Sequence, residues 1–154
     1  MYRKIAMIGS AGSGKSTLLS LAASICRLRR VDCRVNSEWL APNPDDCDVI
    51  AVDDVYGAKK GLIKQIDRWC HHNKKPLWLV GLRAQEIEGY FPHVPPLDLD
   101  DYTPRLDYAV DRASYQKFLA LPLAKLLEDT FMPTPQIRIE RICEYMGKGG
   151  VFRG

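Results

Sequence analysis

Three glycines, a lysine and a Ser-Thr pair crowd into Gly9-Ser10-Ala11-Gly12-Ser13-Gly14-Lys15-Ser16-Thr17, which fits G-x-x-x-x-G-K-[ST] at every fixed position. Glycine at 9, 12 and 14 admits backbone dihedrals that a Cβ resists, so successive N–H groups can converge on one anion. A helix that starts at the end of such a turn adds the positive end of its dipole to the same spot. In that arrangement Lys15 reaches the β- and γ-phosphates of a nucleoside triphosphate. The Ser16 hydroxyl ligates Mg²⁺, and residues 9–17 together form the cradle. ATP with Mg²⁺ is the expected ligand.

A second group of candidates lies in Cys47-Asp48-Val49-Ile50-Ala51-Val52-Asp53-Asp54. Four apolar residues followed by aspartate read as a buried parallel strand that delivers a carboxylate to its carboxyl end, where open α/β sheets hold ligands. Asp53 is placed to orient Mg²⁺ through water, and Asp54 to polarise an attacking water or hydroxyl. The competing role for Asp54 is to cap the next helix. Arg83 follows the apolar run Leu77-Trp78-Leu79-Val80-Gly81-Leu82, so with Gln85 and Glu86 it emerges on the same edge as Lys15 and Asp53. There it can neutralise transferring charge, or it is a surface arginine on a loop. Lys15, Asp54 and Arg83 are thus the candidate catalytic residues, and Ser16 and Asp53 the candidate metal ligands.

These side chains need elements to hold them. Lys4-Ile5-Ala6-Met7-Ile8 has strand length and composition, and Thr17 to Cys26 is apolar at helical spacing. Asp32-Cys33-Arg34-Val35-Asn36 reads as a second strand with thin apolar content, followed by a loop at Pro42-Asn43-Pro44-Asp45-Asp46. Residues 58–73 form an amphipathic helix with Leu62, Ile63, Ile66, Trp69 and Cys70 on one face, closed by Asn73-Lys74-Lys75-Pro76. This alternation predicts an α/β class: a three-layer α/β/α domain with a mainly parallel sheet and helices on both faces. Residues 84–105, rich in proline, acids and aromatics, read as a lid or partner loop. Beyond them a short strand is expected at 106–110 and a helix at 111–129 with a kink or break at Pro122. An alternating stretch at 136–142 and a flexible glycine-rich tail at 147–154 complete a single domain, 1–154.

The chain has 154 residues, enough to bury a substantial core, and is 46% hydrophobic and 27% charged, as ordinary globular proteins are. Its net charge of +3 is too small to argue for nucleic acid by itself. The local basic cluster of Arg27, Arg29, Arg30 and Arg34 reads as a solvated end of the first helix. No apolar run approaches the ~20 residues of a membrane span. The five cysteines form no C-x-x-C pair, which with a nucleotide site points to free thiols in the cytoplasm. Cys70-His71-His72 has no companion pair at ligand spacing and reads as a helix end.

Gly9 to Thr17 together with Val49 to Asp54 resembles the Walker A and Walker B segments of the P-loop NTPase superfamily. That resemblance implies an α/β/α domain, a Mg²⁺–nucleotide complex and chemistry at the terminal phosphate. Gly12 to Leu19 is worded much as in transporter-type ATPases, yet no L-S-G-G-Q signature precedes Asp53, which excludes that subfamily. Asn73-Lys74 precedes a strand and is followed by Pro76 where a guanine-reading N-K-x-D would have aspartate. Residues 47–91 have a looser likeness to thymidine kinases: paired acids, a helix, then Gly81-Leu82 leading to Phe91. Asp54 stands where that family has glutamate, and its cysteine quartet is missing. A parallel likeness is to small RecA-like ATPases of plasmids, phages and secretion systems.

The leading expectation is therefore an ATPase that couples hydrolysis to a partner, whether protein, DNA or further copies of the chain. A kinase for a nucleoside or nucleotide is the first alternative, with residues 84–105 closing over the acceptor to exclude water. A nucleotide-controlled binding module with little turnover is the second. Arg105 and Arg112 are possible donors of an arginine to a neighbouring copy's site.

Overall fold

A computed structural model describes residues 3–35, 38–102 and 119–131. The described residues build a five-stranded sheet in the order β2-β3-β4-β1-β5, all of whose pairings are parallel. The strands are β1 (Lys4–Ile8), β2 (Leu28–Asp32), β3 (Val49–Asp53), β4 (Leu77–Gly81) and β5 (Leu97–Asp98). The helices are α1 (Lys15–Ile25), α2 (Leu62–Asn73), the single turn α3 (Gln85–Glu88) and α4 (Ala120–Thr130).

Every residue of β3 and β4 is buried, because apolar layers cover both faces of the central strands. Successive side chains alternate between those layers. Val49, Ala51, Trp78, Val80 and Met7 pack with Leu18, Leu19 and Leu21 of α1 and Leu123, Leu126 and Leu127 of α4. Ile50, Val52, Leu77, Leu79 and Ala6 pack on the opposite face with Leu62, Ile63, Ile66 and Cys70 of α2 and Ile87 of α3. Burying one such leucine contributes about 2 kcal/mol. The chain is thus an α/β protein with helices on both faces of a parallel sheet.

Several boundaries differ from the sequence-based expectation. β2 ends at Asp32, where the expected strand begins, and Arg29 and Arg30 belong to it rather than to a helix end, since α1 stops at Ile25. An edge strand needs little apolar content: only Val31 is buried, opposite Val52, while the exposed arginines discourage pairing with another chain. α2 begins at Leu62, not at residue 58, because Gly61 turns the chain in at φ +87°. At its other end Lys74, at φ +55°, closes the helix through its N–H to the carbonyls of Cys70 and His71.

Within residues 84–102 the structure is more regular than a loop, with α3, β5 and the tight turn Leu99–Asp101. The described helix α4 begins at Ala120, so Pro122 sits in its first turn, where its missing N–H costs no hydrogen bond. The elements expected at 106–110 and 136–142, the residues 111–118, the tail 147–154, Arg105, Arg112 and Cys143 lie outside the described residues. Among the described residues the four cysteines are free thiols, and no helix is long and apolar enough to cross a membrane.

Strand order sets where a ligand can enter. The chain leaves β1 toward the β2 edge but leaves β4 toward the β5 edge, so the connections diverge at the carboxyl ends of these two neighbours. Open α/β sheets bind ligands in the crevice at such a switch point. Here the crevice is bordered by Gly9 and Gly81, joined by the Gly9 N–H donating to the Gly81 carbonyl at 3.3 Å.

Candidate functional site

The loop from Gly9 to Gly14 owes its shape to its glycines. Gly12 and Gly14 hold φ of +80° and +101°, in the left-handed region that a Cβ disfavours. A Cβ on Gly9 would lie 2.3 Å from the Ser13 Oγ and 3.2 Å from the Leu99 Cβ, so only hydrogen fits there. The Ser13 N–H donates to the Ser10 carbonyl at 3.0 Å and folds the loop back on itself. Ser13 is 4% exposed, and its hydroxyl has no hydrogen-bond partner. A buried unpaired hydroxyl costs free energy unless something arrives to pair with it.

α1 opens on this loop without a side-chain cap and with no acid in its first turn. Its first intrahelical bond runs from the Leu18 N–H to the Gly14 carbonyl at 2.8 Å. The N–H groups of Lys15, Ser16 and Thr17 therefore have no intrahelical acceptor, and with the helix dipole they favour an anion. The Lys15 ammonium lies back across the loop and donates to the carbonyls of Gly9 (2.5 Å) and Ser10 (2.9 Å). Partial burial lowers its pKa, against the opposing pull of the Asp53, Asp100 and Glu86 carboxylates in that order. An arriving anion would restore what burial removes. Ser16 is exposed in the first turn of α1, and Thr17 is half-buried.

β3 delivers Asp53 to the same edge and buries it to 7% exposure. One carboxylate oxygen accepts from the Arg30 guanidinium, and the other from the Asp54 N–H at 2.9 Å. Asp54 itself occupies the left-handed region at φ +57°, ψ +56°. It stands ahead of the turn Val55–Gly57, but its side chain caps no N–H there. Its carboxylate instead lies 3.9 Å from Arg34 Nε and beside Gly57, where a Cβ would approach to 3.2 Å. Arg34 is otherwise bound to Asp32 through two bonds, at 3.2 and 3.1 Å. That pairing holds the Asp32 carboxyl below its usual range.

Arg83 is exposed in the turn after β4 and makes no side-chain bond among the described residues. Its neighbour Glu86 turns inward instead: Oε1 accepts the Leu82 N–H at 3.1 Å and fits against Gly81. The structure thus gathers Lys15 with Asp53, Glu86 and Asp100, places the Asp54 carboxylate beside Arg34 and Gly57, and leaves Arg83 outside. The sequence places Glu86 at this edge without a role, and gives no site role to Asp100 or Arg30. The run Asp98-Leu99-Asp100-Asp101 held the signal for Asp100, an apolar residue set among acids as in a turn docked by its one buried side chain.

The residues present fit a triphosphate. The uncapped start of α1, the unpaired Ser13 hydroxyl and the Lys15 ammonium are the donors such a ligand would need. Among the described residues no group of three or more His, Cys, Asp or Glu side chains could hold a metal by itself. Ser16 and Asp53 are the oxygen donors that could contact a Mg²⁺ brought by such a ligand. A cavity of about 670 Å³ runs along the β5 edge beside Arg3, Pro96, Tyr102 and Lys125, and no loop residue lines it.

The chain matches no protein-family model and no curated protein.

Proposed function

We propose that this chain is a small P-loop NTPase that binds ATP with Mg²⁺ at Gly9 to Thr17. It hydrolyses ATP and couples its nucleotide state to a protein or DNA partner. One observation carries this reading: a glycine loop with an unpaired buried Ser13 hydroxyl opens onto an uncapped helix, with Lys15 across its mouth. Asp53 stands at the carboxyl end of β3, with β4 between it and β1, and Asp54 follows it.

In this mechanism the loop amides and the amides of Lys15, Ser16 and Thr17 hold the phosphates, and Lys15 leaves the loop carbonyls to follow the developing charge. Ser16 and Asp53 would hold Mg²⁺, which would supply neutralisation of the phosphate charge. Ser16 offers a hydroxyl on that side, and Asp53 a carboxylate once it exchanges partners. Asp54 accepts a proton from the attacking water. The positive φ of Asp54 is the kind of local strain that persists where a side chain must be aimed.

Phosphate release from ATP–Mg²⁺ by the wild type and Lys15→Ala tests the proposal, alone, with single-stranded or duplex DNA, and with a panel of nucleosides. Lys15-dependent release that rises with DNA supports it. Phosphate recovered on a nucleoside would make the protein a kinase. Tight Lys15-dependent binding without turnover would make it a nucleotide-controlled binding module.

A further inference from the structure

The second residue of the phosphate loop is already gripped by the chain itself. Asp100 accepts the Ser10 N–H at 2.9 Å through one carboxylate oxygen and the Ser10 hydroxyl at 2.7 Å through the other. Ninety residues separate the two in sequence, and three local features make the contact specific. β5 pairs with the end of β1, Leu97 beside Met7 and Asp98 beside Ile8, so the next turn falls against the loop. Leu99 is fully buried, with its Cβ close over Gly9, and pins that turn down. The Asp98 carboxylate accepts the Asp100 N–H at 3.0 Å and fixes the direction of the Asp100 side chain.

The charge of Asp100 is therefore held beside the anion cradle, within electrostatic reach of Lys15. A triphosphate in the cradle and this carboxylate are like charges that share one ammonium and one set of loop amides. Both cannot be bound at full strength. Linkage makes the antagonism reciprocal: whatever loosens the turn tightens the nucleotide, by the same factor.

Resting on the triphosphate reading above, we propose that Asp100 is a latch on the phosphate loop: it holds Ser10 in the nucleotide-free chain and yields when a nucleoside triphosphate binds. The turn Leu99–Asp101 then becomes the element through which nucleotide state leaves the site. A partner that draws the turn away raises nucleotide affinity.

The test is equilibrium binding of a fluorescent ATP analogue and the corresponding monophosphate, with Mg²⁺, to the wild type, Asp100→Asn, Ser10→Ala and Lys15→Ala. Asp100→Asn keeps the shape of the side chain and removes its charge. It is expected to bind the triphosphate roughly tenfold more tightly, within the usual range of coupling between sites, with a much smaller change for the monophosphate. Ser10→Ala removes one of the two bonds without touching the turn, so it moves affinity in the same direction by a smaller factor, even if Asp100→Asn folds poorly. In the wild type, hydrogen exchange at residues 97–102 should accelerate when the triphosphate is added. Unchanged or weaker triphosphate binding by both variants, or slower exchange at 97–102, overturns the latch. If Lys15→Ala binds as the wild type does, or the wild type does not bind, the triphosphate reading falls and the latch with it. Loss of binding in Lys15→Ala with no gain in Asp100→Asn overturns the latch alone.

Discussion

Arg30 on the edge strand β2 donates its guanidinium to the carboxylate of Asp53 on β3. The two are not directly opposite in the sheet: Arg30 is registered with Ala51, and Asp53 with Asp32. The long arginine side chain reaches along the strand toward the carboxyl edge, on the face covered by α1. There it takes the oxygen of Asp53 that the Asp54 N–H leaves open. The carboxylate side chain is only 10% exposed and the guanidinium 35%, so the pair is partly screened by solvent.

Removing one partner from such a pair leaves a nearly buried charge uncompensated. Arg30→Ala is expected to lower the free energy of unfolding by about 1–2 kcal/mol, discounted for the exposure of the guanidinium. In an Asp53→Asn background the same substitution should cost clearly less, because the charge it balanced is gone. Urea unfolding of the four proteins closes this cycle. Equal losses in the two backgrounds would show that the pair contributes nothing.

Asp54 separates strain from chemistry. At φ +57° a glycine is relieved of its Cβ, so Asp54→Gly should gain about 0.5–1 kcal/mol of stability. Asparagine tolerates the left-handed region well, so Asp54→Asn should fold as the wild type does. If Asp54 accepts the proton of the attacking water, the asparagine variant loses roughly 10²- to 10⁴-fold in turnover while nucleotide binding persists. Phosphate release and analogue binding measured side by side decide it. Full turnover in Asp54→Asn would remove this residue from the chemistry.

The interior has one polar contact with a clear consequence. Trp78 is fully buried, and its indole N–H donates to the Thr130 hydroxyl at 2.8 Å, which in turn donates to the Leu126 carbonyl at 2.5 Å. Thr130→Val keeps the shape but strands the indole N–H, at a cost of about 1–3 kcal/mol. Thr130→Ser restores the hydroxyl and should recover most of that loss. Thermal unfolding of the two variants makes the comparison, and equal stability would mean that the N–H finds another acceptor.

Burial also protects the thiols. Desolvation, with Asp48 beside it, pushes Cys26 up to about 12. Desolvation and the neighbouring Asp67 and Cys47 do the same to Cys70, also to about 12. Cys33 rises to about 11 through desolvation and the carboxylates of Asp54, Asp32 and Asp53. Above the ordinary thiol pKa of 9.0 the unfolded chain gives up these protons while the folded chain keeps them. The unfolded state then binds fewer protons, so stability falls as pH rises from about 9 toward 12. In the folded protein these three cysteines should react slowly with a disulfide reagent at pH 9, and fast after urea unfolding. Rapid labelling of Cys26, Cys33 or Cys70 in the native chain would contradict the burial.

The amino-acid sequence by itself determined the glycine turn at 9–14, β1, β3, β4 and the apolar face of α2. Each is a local pattern: glycines at fixed offsets, a run of strand length buried on both faces, or a stripe at helical spacing. β2 escaped because an edge strand buries only Val31 and so carries almost no pattern, and Gly61 shortened α2 from a helical stripe that starts earlier. Only the tertiary structure decided the strand order, the Arg30–Asp53 pair, the inward turn of Glu86 in place of Arg83, and the grip of Asp100 on Ser10. Those contacts depend on which strands become neighbours. Sheet pairing is a choice among distant segments, made by burial of the whole chain rather than by the spacing of residues along it.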